Sequence, residues 1–134
     1  DLPMDDIDLA QADMIVLPGG MPGTTNLYAD KRVTSAVRAM YEAEKYVAAI
    51  CAAPSVILGG MGLLKGRRAT CYPGMEDGME GAEAVPATCV TDGKIITACG
   101  VGGALDFACA LITALISREK ADEIAFSVVY HAAN

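Results

Sequence analysis

Tyr46-Val47-Ala48-Ala49-Ile50-Cys51-Ala52-Ala53-Pro54-Ser55 is the stretch from which the fold of this chain can be read. Its first five residues form a short apolar run of strand type, and the small residues around Cys51 leave room for a sharp reversal of the backbone. Pro54 suits the first turn of a helix, where its missing N–H costs nothing. That helix continues through Val56, Ile57 and Leu58 and stops at Gly59-Gly60. Strand, tight turn and helix in that order place a cysteine at the hinge of a βα unit.

The same grammar repeats on either side. Residues 14–17 are a continuous apolar run with β-branched Ile15 and Val16, ending at Pro18-Gly19-Gly20. This predicts a buried parallel strand entering a glycine loop. Asp30 is placed to cap a helix whose apolar positions Val33, Ala36, Val37, Met40 and Tyr41 follow the three-four spacing. Downstream, residues 68–72 predict a third strand closed by Pro73-Gly74, and residues 75–84, with Glu76, Asp77, Glu80 and Glu83, predict an exposed excursion. Residues 85–90 and 94–99 flank Thr91-Asp92-Gly93 and predict an antiparallel hairpin. The nearly all-apolar residues 105–116 predict a helix buried on most sides, and Ser117 caps a last helix with Ala121, Ile124, Ala125 and Val128 inward.

Strands alternating with helices argue for an open α/β sheet covered on both faces, which binds ligands at the carboxyl ends of its strands. Gly19-Gly20, Cys51 and Gly100-Val101-Gly102 all fall at such ends. The length of 134 residues fits one domain, 1–134, and 53% hydrophobic against 20% charged residues excludes a disordered segment. With 10 basic and 17 acidic residues the net charge is −7, which repels phosphate backbones and anionic membrane surfaces, so no nucleic acid and no membrane is expected as partner. The longest apolar stretch, broken by Asp106 and Thr113, falls short of the ~20 residues of a bilayer span, and the acidic start is unlike a signal peptide. Cys51, Cys71, Cys89, Cys99 and Cys109 make an odd set without a Cys-x-x-Cys pair, which predicts reduced thiols in a cytoplasmic protein and no metal site. Gly100-Val101-Gly102-Gly103 lacks the spacing and following acid of a dinucleotide loop, so a tight turn over Cys51 is expected there and no cofactor.

At a strand-to-helix turn, Cys51 faces the unpaired N–H groups of a helix start, which favour thiolate over thiol. The backbone N–H groups of Gly20 and Ala52 are the candidates for an oxyanion hole beside it. The alternative reading, Cys51 as one more small buried residue in an alanine-rich turn, stays open from spacing alone.

Val16-Leu17-Pro18-Gly19-Gly20, then Ala48-Ala49-Ile50-Cys51-Ala52-Ala53-Pro54, then Gly100-Val101-Gly102-Gly103-Ala104-Leu105-Asp106-Phe107-Ala108 resemble the successive signatures of the ThiJ/PfpI superfamily, in its DJ-1-like branch. The resemblance implies a flavodoxin-like three-layer sandwich with a mainly parallel sheet, a homodimer, and a reactive cysteine at the elbow, here Cys51, with Gly20 and Ala52 as oxyanion donors. It implies a cofactor-independent glyoxalase or deglycase acting on small electrophiles in stress protection. A redox sensor or holding chaperone is the non-enzymatic alternative, and an amidotransferase-like hydrolase a third. Two departures bear on this. Tyr72 stands where many relatives have a histidine, and the only histidine, His131, falls in the last helix, where it reads as a surface or packing residue. The family fold also opens with a strand, helix and strand for which the dozen residues before Met14 are too few. The expectation is that Asp1 marks a break in a longer protein, with the N-terminal segment cleaved and still bound or lying outside this chain. That segment would supply an acidic residue facing Cys51.

Overall fold

A computed structural model describes residues 2–131 of the chain. Its strands are β1 (Met14–Leu17), β2 (Tyr46–Ile50), β3 (Arg68–Ala69), β4 (Glu83–Ala84), β5 (Cys89–Asp92) and β6 (Ile95–Ala98). Four of them form a sheet of order β1-β2-β6-β5, with β1, β2 and β6 mutually parallel and β5 antiparallel to β6. The helices are α1 (Gly23–Ala29), α2 (Lys31–Glu42), α3 (Ala104–Leu115) and α4 (Arg118–Ser127), with a further helix of wide π-type turns, Pro54–Gly59, leading off β2.

Both faces of the central strand are buried, as a parallel sheet requires. Val47 and Ala49 turn one way, into a cluster with Val37, Met40, Ile57, Leu58 and Leu64. Ala48 turns the other way, toward Ile96, Ala98 and Phe107. Helix α2 and the π-type helix cover the first face, α3 the second, which gives the mixed α/β, mainly parallel three-layer arrangement expected. Burying side chains such as Met40, Ile57, Leu58 and Leu64 contributes about 1.5–3 kcal/mol each. The caps behave as read: the Asp30 carboxylate accepts from the Arg32 N–H (2.9 Å), and Ser117 Oγ accepts from the Lys120 N–H (3.0 Å).

Five expectations need correction. Between the glycine loop and the Asp30 cap, where the sequence predicts no element, residues 23–29 form α1. The strand expected over 68–72 is limited to Arg68–Ala69, which pairs in parallel with Glu83–Ala84 in a separate two-stranded sheet. Beyond it the Thr70 N–H donates to Thr97 Oγ1 (3.0 Å) and the Tyr72 N–H to the Cys51 carbonyl (2.8 Å), so these donors leave the ladder. The excursion 75–84 is not solvated throughout: Met79 is buried, and Ser55 Oγ donates to the Met75 carbonyl (2.7 Å). In the hairpin, Asp92 pairs with Ile95 and the turn is Gly93-Lys94, with Gly93 at φ +59. Pro86 lacks the N–H for a ladder, so residues 85–88 stay outside the strand.

The fifth correction concerns α3. It is apolar but for Asp106 and Thr113, yet only Phe107 of its 12 residues is buried, and Leu105 and Leu115 stand about half exposed. One flank meets the sheet, chiefly β6, and another meets α4. The outer edge of β1 pairs with no strand among the described residues, and Val16 is 44% exposed. No helix among the described residues is long and apolar enough to cross a membrane.

Candidate active site

Cys51 directly follows β2 and takes φ +65, the left-handed region that costs a non-glycine residue of order 1 kcal/mol. Two main-chain bonds hold it there. Its N–H donates to the Ala98 carbonyl at the end of β6 (2.9 Å), and its carbonyl accepts from the Tyr72 N–H (2.8 Å). Buried Ala52, Ala53 and Pro54 then lead into the π-type helix. A strained residue on a sharp strand-to-helix turn is the local geometry of a nucleophile elbow.

The loop after β1 closes on this turn. Gly20, at φ +91, has its carbonyl held by both the N–H and Oγ1 of buried Thr24 (2.8 and 2.6 Å). Gly19 then lies so close to the elbow that a Cβ on it would fall 2.4 Å from Cys51 Cβ and 3.3 Å from Cys51 Sγ. From the end of β6 comes Gly100, whose added Cβ would sit 4.0 Å from Cys51 Sγ and 3.6 Å from Cδ2 of the Tyr72 ring. The Gly19-Gly20 loop, Cys51 and Gly100 thus meet at the carboxyl ends of the parallel strands. Neither the Gly20 nor the Ala52 N–H donates to a backbone acceptor among the described residues. Residues 100–103 make one tight turn into α3, as expected.

Sequence reasoning missed Gly19 as the contact residue, although its glycine doublet was a usable signal, and missed Thr24, for which there was none. Asp106, in the first turn of α3, accepts from Thr88 Oγ1 (2.6 Å) and from the Tyr130 hydroxyl, so it ties the approach to β5 and the segment after α4 to this helix. His131 is exposed and lies beyond α4 rather than within it, because the helix ends at Ser127. A cleft of about 1120 Å³ between α3, α4 and the hairpin contains none of Cys51, Gly20 and Ala52. No three of His, Cys, Asp and Glu gather as a cation site among the described residues.

Burial pushes the Cys71 thiol up to about 11, with Glu76 and Cys51 adding to the effect. It does the same at Cys89, also to about 11, with Asp106 and Cys99 adding. Both therefore stay protonated at neutral pH, and mild alkylation at about pH 8 is expected to mark half-buried Cys51 before either of them. The folded state keeps these two protons above the ordinary value of 9.0, where the unfolded chain releases them. Stability is accordingly expected to fall as pH rises from about 9 to about 11. Peptide mapping and urea titrations across that window check both; labelling of Cys71 or Cys89 at the Cys51 rate near pH 8 would contradict the first.

An open α/β sheet whose carboxyl edge carries a cysteine on a strained strand-to-helix turn defines a cysteine-elbow class of α/β proteins. Within it the chain belongs to the DJ-1/PfpI family, whose family model matches residues 1–114. Protein DJ-1 homolog A of Arabidopsis thaliana is 39% identical over 129 residues, covering 90% of this chain and 31% of that protein. A deglycase of Pyrococcus horikoshii is 37% identical over 100 residues, covering 72% of this chain and 58% of the deglycase. The crystal structure of a DJ-1 superfamily protein from Salmonella typhimurium matches with a TM-score of 0.86 at 35% identity, over 92% of this chain and 70% of that one. The fold is thus of the flavodoxin-like kind that the sequence signatures imply, and the chain spans about a third of the plant relative's length.

Proposed function

We propose that Cys51 is the nucleophile of a glyoxalase- or deglycase-type site that takes small electrophiles such as 2-oxoaldehydes in stress protection. The observation that carries this reading is the φ of +65 at Cys51, a strained position on a turn where the Gly20 and Ala52 N–H groups donate to no backbone acceptor among the described residues. In the proposed step the thiolate adds to the aldehyde carbon and those two N–H groups receive the developing oxyanion. The similarity to a deglycase supports the same chemistry. A second reading, a redox sensor or holding chaperone built on oxidisable Cys51, is favoured by Tyr72, which stands beside Cys51 where the family resemblance leads one to expect a histidine, and by the only histidine, His131, lying past α4. An amidotransferase-like hydrolase needs a general base there and fits less well.

The same proposal includes a homodimer in a reducing cytoplasm. It also includes a separate N-terminal segment of the same protein that pairs with the outer edge of β1, covers the apolar flank of α3 and brings an acidic side chain to Cys51. What supports this is the open edge, the half-exposed Leu105 and Leu115, and the 70% coverage of the Salmonella chain.

Methylglyoxal consumption by the intact protein, wild type beside Cys51→Ser, tests the enzymatic reading. Turnover that disappears in Cys51→Ser is the expected result. Turnover unchanged in that variant would overturn it, and no turnover by folded wild type would leave the sensor or chaperone.

A further inference from the structure

The segments that meet at Cys51 carry no charged side chain of their own, and the acid next to them, Glu76, accepts from the Gly74 N–H (2.9 Å). Residues 19–24 after β1, 51–55 at the elbow, 72–74 after β3 and 100–103 after β6 contain no Asp, Glu, Lys, Arg or His. What they expose is apolar: Met21 is 60% exposed, Tyr72 52% and Val101 94%. The Tyr72 ring lies beside the sulfur, across Gly100. Its Cδ2 and Cys51 Sγ flank the point of a Gly100 Cβ at 3.6 and 4.0 Å, and the Tyr72 N–H holds the Cys51 carbonyl at 2.8 Å. A half-exposed ring in that position attracts a flat apolar group by stacking. An acidic chain with no cation in these segments gives a carboxylate nothing to offset its lost hydration.

We propose that Tyr72 is a specificity-determining residue of the Cys51 site, which selects neutral carbonyl electrophiles bearing an apolar or aromatic substituent over anionic ones such as 2-oxo acids. This rests on Cys51 being the nucleophile. The thiolate forms a C–S bond to the carbonyl carbon, the C=O π pair moves to oxygen, and that oxygen takes a proton from water to give a hemithioacetal. The substituent on the carbonyl then lies along the Tyr72 ring. A 2-oxo acid would bring a second negative charge to a rim whose segments carry no cation and beside which the Glu76 carboxylate already lies.

Three haloacetyl probes separate these effects without turnover: iodoacetate, iodoacetamide and N-benzyl-iodoacetamide. Each alkylates sulfur by forming an S–C bond as iodide departs with the C–I pair. Rate constants are read from the Cys51 peptide of the intact protein, each divided by the rate with 2-mercaptoethanol. The benzyl probe is expected to lead iodoacetamide by about five- to tenfold through stacking, and iodoacetate to trail by about tenfold. Tyr72→Ala and Tyr72→Leu should abolish the benzyl advantage while keeping the bias against iodoacetate, and Tyr72→Phe should keep both. A wild type with no benzyl advantage, or an advantage that survives Tyr72→Ala and Tyr72→Leu, would overturn the proposal while leaving Cys51 as nucleophile. Iodoacetamide labelling of Cys51 no faster than of Cys71 would instead remove the reading beneath it.

Discussion

Gly19→Ala is expected to lower folding stability by about 3 kcal/mol and to slow alkylation of Cys51 at least about tenfold. The added methyl would lie 2.4 Å from Cys51 Cβ and 2.9 Å from the Ile50 carbonyl oxygen, distances no packed carbon tolerates. Neither neighbour is the free end of a flexible side chain. Ile50 ends β2 in register with Ala98, and Cys51 is pinned by its bonds to Ala98 and Tyr72. The loop after β1 cannot give way easily either, because Thr24 grips the Gly20 carbonyl twice. Something must move, and moving the loop or the elbow disturbs the close packing of Gly19 on Cys51. Urea titration reads the stability and iodoacetamide labelling reads the site. A variant as stable and as reactive as wild type would show that the loop does not press on the elbow.

Gly59→Ala should cost about 3 kcal/mol or more without touching the thiol directly. Here the methyl would meet the Gly78 carbonyl oxygen at 2.1 Å, its carbon at 2.9 Å and Met79 Cα at 3.2 Å, all of them backbone. The π-type helix and the turn Glu76–Gly78 are in glycine-only contact from both sides, since a Cβ on Gly78 would in turn reach Ser55 Oγ at 2.0 Å. Separating them withdraws Met79 from the core and breaks the Ser55 bond to the Met75 carbonyl. Gly23→Ala is the control, because no atom lies within 4 Å of its added Cβ and it opens α1. It should leave stability unchanged or slightly raised. Equal urea midpoints for the two variants would refute the close contact.

The parts of this protein that its sequence determined are those decided within a few residues of the chain. Short apolar runs, one stopping at Pro18 and one at Cys51, marked β1 and β2 at their observed limits, and Asp30 and Ser117 marked two helix starts because a side-chain cap acts over two or three residues. Cys51 could be placed on its turn for the same reason: the strand before it and Pro54 after it are local signals.

What the tertiary structure alone decided depends on segments far apart in sequence. Arg68–Ala69 finds its partner at Glu83–Ala84, and its continuation spends its N–H groups on Thr97 and Cys51 instead of a ladder. The largely apolar composition of α3 records that it avoids water without saying on which flanks, and that was settled only by where the sheet and α4 lie. Likewise Gly19, Tyr72 and Gly100 surround Cys51 from three separate loops. A short apolar run or a cap is fixed by neighbours along the chain, whereas contact across a site is fixed by how the strands order themselves in the sheet, which local propensity does not encode.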